Sequence, residues 1–312
     1  MKTVQLGSSE LQVSALGLGA MFFGTRTPTD MSYELLDEYV AAGGNFIDSA
    51  NIYAHWVEGF KGGESEVLLG EWLRQRGNRS QQIIATKVGF GYPGVLQELT
   101  PRTIEEECNK SLKRLGIETI DLYYAHVDDY NVPMEEVLEA FDKLVNAGKV
   151  RFIGASNYLA WRLEEARGLS EAKGLSNFVC VQQRHSYLRL KPGGSTAPQV
   201  TTNTDLFDYS RRRNFPIVAY SVLLGGAYTQ PDRSIGREYL GPDSDARLAM
   251  LKTIASETGA TINQIVLAWM LHSDYPTIPL IAASSHQQLQ ENLGALDVKL
   301  SADQMQRLDN AR

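Results

Sequence analysis

The chain has 312 residues, of which 43% are apolar and 21% charged, too apolar and too weakly charged for a disordered chain. Thirty basic against 37 acidic side chains give a net charge of −7, which argues against a nucleic-acid partner held through phosphate contacts. Two cysteines, Cys108 and Cys180, are too few for a disulfide framework, and no apolar run approaches the ~20 residues of a membrane helix. The opening residues Met1 to Leu6 lead into polar alternation, unlike a signal peptide. These features predict a soluble, cytoplasmic, acidic protein without membrane partners, and they leave the oligomeric state open.

Along the chain, Val4 and Leu6, then Gly7-Ser8-Ser9, then Leu11 and Val13 predict a β-hairpin within residues 1–13. Eight short apolar runs follow, at residues 14–19, 45–48, 82–87, 119–125, 150–155, 178–182, 216–221 and 277–282. Helical patterns lie between them. One opens with Thr103 as a cap-like residue before Ile104, Glu105 and Glu106. Others cover 134–145, 244–257 and 262–271. Eight strands alternating with helices predict a (β/α)₈ barrel filling residues 1–312 as a single domain, with the hairpin closing the barrel's bottom. The stretch 190–204, rich in Pro, Gly and Ser, reads as a mobile loop after the sixth barrel strand, overhanging the mouth. The rival fold is a doubly wound sheet. Its dinucleotide fingerprint would be Gly17-Leu18-Gly19-Ala20-Met21-Phe22-Phe23-Gly24, where the third glycine is displaced and a Phe pair fills the turn.

In a barrel, polar residues just past the C-terminal ends of the strands surround one mouth. Asp48, Tyr53, Lys87 and His126 all occupy such positions. Taken singly, Asp48 could cap a loop, Lys87 could snorkel, and His126 could be satisfied by Asp128 or Asp129. Together they make a proton-transfer site. A phenol with an ordinary pKa near ~10 is expected to be lowered by a neighbouring ammonium, which a carboxylate holds in place.

The segments Asp48-Ser-Ala-Asn-Ile-Tyr53, Ala85-Thr-Lys87 and Asp121-Leu-Tyr-Tyr-Ala-His126 resemble the catalytic tetrad of the aldo-keto reductases, and the resemblance covers nearly the whole chain. It implies an NAD(P)H-dependent oxidoreductase in which Tyr53 exchanges the proton, Lys87 tunes it, Asp48 positions Lys87 and His126 orients the carbonyl. It also implies cofactor contacts. Ser156, Asn157 and Gln182 would hold the nicotinamide carboxamide. Tyr220 would stack on the ring, with Ser221, Leu223 and Gly225 over the pyrophosphate. Ala283, Ser284, Ser285, Gln288, Glu291 and Asn292 would line the adenosine end, with Gly19, Met21 and Asp48 completing the cleft.

Three departures bear on specificity. The connection after Tyr53 is long and carries His55, Trp56 and Phe60. Val222 stands where a proline is common. Arg184 and His185 place positive or polar groups where neutral or acidic residues are usual. Phe22, Trp56, Phe60 and Tyr92 are candidate substrate contacts, and their aromatic rings suit aromatic aldehydes or the apolar faces of sugars. The polar His55, Arg184 and His185 tilt the expectation towards a sugar or other polyhydroxylated carbonyl compound. The family implies NADP(H). Ala282 and Gln288 stand where 2′-phosphate bases are often found, which leaves NAD(H) open and makes Arg213 and Arg237 the alternative bases. No Cys/His cluster has metal-ligand spacing, so no metal is expected. Two other readings are a non-catalytic binding or regulatory protein on the same fold, and a hydrolase using Asp48 with Glu64, which leaves Tyr53 and Lys87 without a role.

Overall fold

A computed structural model describes residues 1–312. A two-stranded antiparallel hairpin, β1 (Thr3–Gln5) and β2 (Gln12–Ser14), precedes the barrel. Then follow β3 (Gly17–Gly19), α1 (Thr29–Ala41), β4 (Phe46–Asp48), α2 (Glu64–Arg76), β5 (Ile83–Val88), α3 (Pro101–Leu115), β6 (Ile120–Ala125) and α4 (Met134–Asn146). The second half comprises β7 (Val150–Ser156), α5 (Ala160–Lys173), β8 (Phe178–Arg184), α6 (Thr204–Arg213), β9 (Ile217–Tyr220), α7 (Pro242–Thr258), α8 (Ile262–Leu271), β10 (Thr277–Ile281), α9 (His286–Leu293) and α10 (Ala302–Asn310). Strands β3 to β10 close into an eight-stranded parallel barrel in sequence order. No helix is long and apolar enough to cross a membrane.

The strands form because parallel barrel strands are covered on both faces and therefore read as continuous apolar runs. Every residue of β5 (Ile-Ile-Ala-Thr-Lys-Val) and of β6 (Ile-Asp-Leu-Tyr-Tyr-Ala) is buried. Each large aliphatic side chain removed from water stabilises the fold by about 1.5–3 kcal/mol. The hairpin's Leu6, Leu11 and Val13 pack against Phe46, Ile83, Val179, Val218, Ile278 and Leu280, so it plugs the N-terminal end of the barrel. Gly7 makes that approach possible. It has φ +57°, and a Cβ there would lie 2.1 Å from the carbonyl oxygen of Val179.

Helix α3 begins three residues earlier than the Thr103 cap expected from sequence. Thr100 is the N-cap and accepts the amide of Thr103, with Pro101 in the first turn. Proline suits that turn because its missing N–H is one the helix would leave unpaired. Helix α8 opens with a capping box between Thr261 and Gln264, an arrangement worth about 1 kcal/mol.

Strand register fixes the site. Asp48 is opposite Gly19 on one side and Ala85 on the other. Lys87 is opposite Tyr124, Ser156 opposite Gln182, and Arg184 opposite Tyr220. Asp48, Lys87, Ser156, Gln182, Arg184 and Tyr220 lie at or near the C-terminal ends of their strands, so the barrel mouth gathers them.

Candidate active site

Lys87, at the end of β5, is fully buried, and all three of its N–H groups are engaged. Nζ donates to Asp48 Oδ1 at 2.5 Å, to Tyr53 Oη at 2.6 Å and to the carbonyl of Ser49 at 2.7 Å. Asp48, 1% exposed at the end of β4, accepts Tyr53 Oη on Oδ1 at 3.3 Å and Gln182 Nε2 on Oδ2 at 2.8 Å. Burial pushes the Lys87 pKa down, while Asp48 and, further off, Glu66 favour its charge. Burial drives the Tyr53 pKa well up, and the Asp48 carboxylate adds to the rise. This reverses the expected lowering. The ammonium is already matched by Asp48, so Tyr53 meets both charges and the dry surroundings decide. The phenol is therefore protonated at neutral pH.

His126, next after β6, is 8% exposed, with its ring centroid 6.1 Å from that of Tyr53. Burial, and then the Lys87 ammonium, hold its pKa well below the ordinary value, so the imidazole is neutral. Its ring makes no hydrogen bond within the protein, and Nδ1 is buried without a partner. Asp128 does not satisfy it, being gripped by Arg162 at 2.7 and 2.9 Å. Nor does Asp129, which accepts the amides of Leu99 and Asn131.

A second layer holds β5 from outside the barrel. Glu66 of α2, fully buried, accepts Thr86 Oγ1 at 2.6 Å and Arg114 Nε of α3 at 2.5 Å. Glu107 of α3 accepts Asn51 Nδ2 and Tyr92 Oη, both at 2.8 Å. The hydroxyl of Tyr92, a candidate substrate contact from sequence, is thus tied to an outer helix.

On the other side of the mouth, Asn157 Nδ2 donates to the carbonyl of His126 at 2.9 Å and to Ser156 Oγ at 3.2 Å. Its Oδ1 accepts Tyr220 Oη at 2.7 Å and the amide of Val200 at 3.0 Å. Asn157, Ser221 and Leu224 have φ of +59°, +57° and +49°. Such backbone costs of order 1–3 kcal/mol per non-glycine residue and clusters at functional sites. After β9, the amides of Ser221, Val222 and Leu223 donate to no acceptor within the protein. Three successive free amides at a left-handed residue form a concavity suited to an anion. Further round, Ser285 caps α9, and Gln288 Oε1 accepts both the amide and the hydroxyl of Ser284 at 2.8 and 3.0 Å. Asn292 Nδ2 donates to the carbonyl of Ala282, and Glu291 accepts Thr261 Oγ1. Free amides, a helix N-terminus and an unpartnered imidazole beside a protonated phenol fit a phosphate-bearing dinucleotide laid along the mouth.

The model of the "Aldo/keto reductase family" matches residues 15–312.

The chain belongs to the aldo/keto reductase family.

Relatives of this aldo/keto reductase agree over nearly its full length. An uncharacterized oxidoreductase of Bacillus subtilis is 29% identical, with 99% of this chain and 95% of the relative aligned. A norsolorinic acid reductase of Emericella nidulans is 30% identical over 96% of this chain and 78% of its own length. An NADP(+) aryl-alcohol dehydrogenase of Phanerodontia chrysosporium is 29% identical over 96% and 83%. The protein is an NAD(P)H-dependent oxidoreductase acting on a small-molecule carbonyl group.

Several residues singled out in the sequence lie elsewhere. His185, expected near the mouth, is 3% exposed among Phe207, Trp269 and Tyr275. Its ring nitrogens meet Thr202 Oγ1 and Tyr275 Oη, and burial lowers its pKa to about 3. Arg213 is on α6 and pairs with Glu164 at 2.7 Å, outside the barrel. Glu64, the partner in the hydrolase reading, accepts the amides of Lys61 and Gly62. The other aromatic candidates do meet: Trp56 lies edge-on to Phe22 at 6.4 Å and to His55 at 5.1 Å, and Arg26 covers Phe22 at 4.7 Å. Phe60 is half-buried at the far end of the same connection. Sequence reasoning missed Phe90, whose ring packs edge-on to His126 at 4.7 Å. The signal available was its place three residues beyond Lys87, in the loop that a barrel strand sends over the mouth.

Proposed function

We propose that this aldo/keto reductase reduces aromatic aldehydes or ketones, with Tyr53 as the proton donor. The observation that carries the reading is the ammonium of Lys87, bonded at once to Asp48 and to Tyr53. A reduced nicotinamide, when bound, would supply the hydride. As the substrate's carbonyl oxygen takes up charge, Tyr53 releases its proton to that oxygen. Lys87, 2.6 Å away, stabilises the phenolate left behind, and Asp48 keeps Lys87 charged and fixed. His126, neutral and free of other bonds, donates an N–H to orient the carbonyl. Gln182 steadies Asp48.

We favour the aromatic substrate class over the sugar reading. His185, one of the three polar groups behind that reading, is in the core, while Phe22 meets Trp56 edge-on and Phe90 packs on His126. The names of two relatives, an aryl-alcohol dehydrogenase and a norsolorinic acid reductase, point the same way. For the cofactor, Ser156, Asn157 and Gln182 lie at the nicotinamide end, Tyr220 to Gly225 over the pyrophosphate, and Ala283 to Asn292 by the adenosine, with Gly19 and Met21 alongside. Ala282 and Gln288 offer no charge to a 2′-phosphate, and exposed Arg237 is the one remaining base of the two weighed from sequence. The preference for NADPH over NADH is therefore less than ~100-fold, tenfold being about 1.4 kcal/mol. We place the protein in the cytoplasm, where its two buried free thiols, Cys108 and Cys180, stay reduced.

A panel of aryl aldehydes, aryl ketones and aldoses, followed by absorbance of NADPH and of NADH, tests this reading. Turnover is expected fastest on an aryl carbonyl, with cofactor kcat/KM values within ~100-fold of each other. Turnover of aldoses alone, or a NADPH preference above a thousandfold, would overturn the substrate or cofactor assignment respectively.

A further inference from the structure

Arg184, at the end of β8, is half-buried beside the segment that follows β9. Its guanidinium donates to Gln199 Oε1 at 2.6 Å, to Tyr239 Oη at 3.0 Å and to Ser221 Oγ at 3.4 Å. All three acceptors are neutral. No carboxylate lies within 4.0 Å, although most arginines of this acidic chain are paired. A partly desolvated guanidinium without a counter-charge is costly unless an anion joins it. The free amides of Ser221, Val222 and Leu223 open beside it, and a guanidinium next to a nest of amides is a phosphate receptor in both charge and geometry.

We propose that Arg184 binds the pyrophosphate of the nicotinamide cofactor, and that Gln199 occupies its guanidinium until the phosphate arrives. The proposal rests on the dinucleotide reading given above and adds a residue and a motion to it. Gln199 belongs to the 190–204 segment. That segment is joined to β8 where Arg184 N donates to Val200 O and Thr202 N to Arg184 O, at 3.2 and 2.9 Å. Exchange of Gln199 for phosphate on the guanidinium releases the segment's Gln199 end while those backbone bonds hold the rest. Cofactor binding thereby changes how residues 190–204 are held.

The test uses the intact protein and measures dissociation constants by quenching of tryptophan fluorescence. Wild type, Arg184→Gln and Gln199→Ala are titrated with NADPH, NADH, reduced nicotinamide mononucleotide and reduced nicotinamide riboside. Arg184→Gln is expected to weaken NADPH and NADH equally, by ten- to a hundredfold, and to flatten the salt dependence of both. It should leave the phosphate-free riboside within twofold, and the mononucleotide should fall between. Gln199→Ala, which frees the guanidinium, should bind NADPH as tightly as wild type or tighter. If Arg184 merely pins two loops, both variants will weaken every ligand alike, and the proposal is overturned. Unchanged NADPH affinity in Arg184→Gln overturns it as well. A wild type that binds no dinucleotide would instead overturn the cofactor reading itself.

Discussion

The two halves of the mouth are built on different physical terms. At the ends of β4 and β5, the site is made of buried charges whose partners are in place: Asp48 on Lys87, and behind them Glu66 on Arg114. At the end of β9 and the start of α9 it is made of backbone amides, hydroxyls and carboxamides, with one guanidinium lacking a counter-charge. Buried ion pairs contribute little net stability, yet removing one partner is severe because the other charge stays behind. Backbone amides exposed at a mouth have no such dependence. Changes in the first half should therefore damage folding and chemistry together, and changes in the second half should cost little stability and act mainly on affinity.

The largest separation should come from Lys87→Met. It removes the group that stabilises the Tyr53 phenolate and leaves Asp48 buried and unpaired. We expect kcat to fall by about 10³-fold or more, with a loss of roughly 3–5 kcal/mol of stability. The double variant Lys87→Met, Asp48→Asn sharpens the point. Thermal melts should recover much of the lost stability while kcat stays low. Recovery of both would mean that Lys87 acts only as a structural counter-ion.

Arg114→Met probes the layer behind. It touches neither substrate nor cofactor but strands Glu66 without its cation. Stability should drop by about 3–5 kcal/mol, which at this size is on the order of 10 °C in Tm. KM for the cofactor should hold within twofold. A Tm within 2 °C of wild type would show that the two halves do not differ as described.

The smallest effect is expected at His286, on the exposed side of α9. Its ring bonds Glu38 at 2.6 Å and Glu34 at 3.0 Å on α1, and these contacts raise its pKa. A group whose folded pKa is raised stabilises the fold fully below its unfolded value, about 6.5. That contribution disappears as the pH rises through the folded value. His286→Gln should therefore lower Tm by a degree or two near pH 6 and leave it unchanged near pH 9. The opposite trend would show that the clasp between α1 and α9 is not carried by the charged ring.

Much of this was legible in the sequence. The eight apolar runs became strands within a few residues of their expected ends, because a strand covered on both faces leaves little room for polar interruption. Asp48, Tyr53, Lys87 and His126 were legible because strand ends of a barrel converge. What could not be read was which distant partner each polar side chain would find. His185 follows Arg184 directly, yet the alternation of the strand end turns it into a pocket of Phe207, Trp269 and Tyr275. The hydroxyl of Tyr92 went to Glu107, and Arg213 to Glu164. The direction of the Tyr53 pKa depended on how far Asp48 offsets Lys87, a matter of ångströms that spacing does not encode. Phe90 was overlooked because a lone aromatic in a loop carries no pattern.

The most direct test of the proton-transfer assignment is Tyr53→Phe, compared with wild type for kcat on an aryl aldehyde and for the dissociation constant of NADPH. Only the phenolic hydroxyl is removed, so kcat should fall by about 10²–10⁴-fold, with the dissociation constant within threefold of wild type. A variant that keeps more than half of the wild-type kcat, with chemistry shown by a deuteride isotope effect to limit turnover, would contradict it.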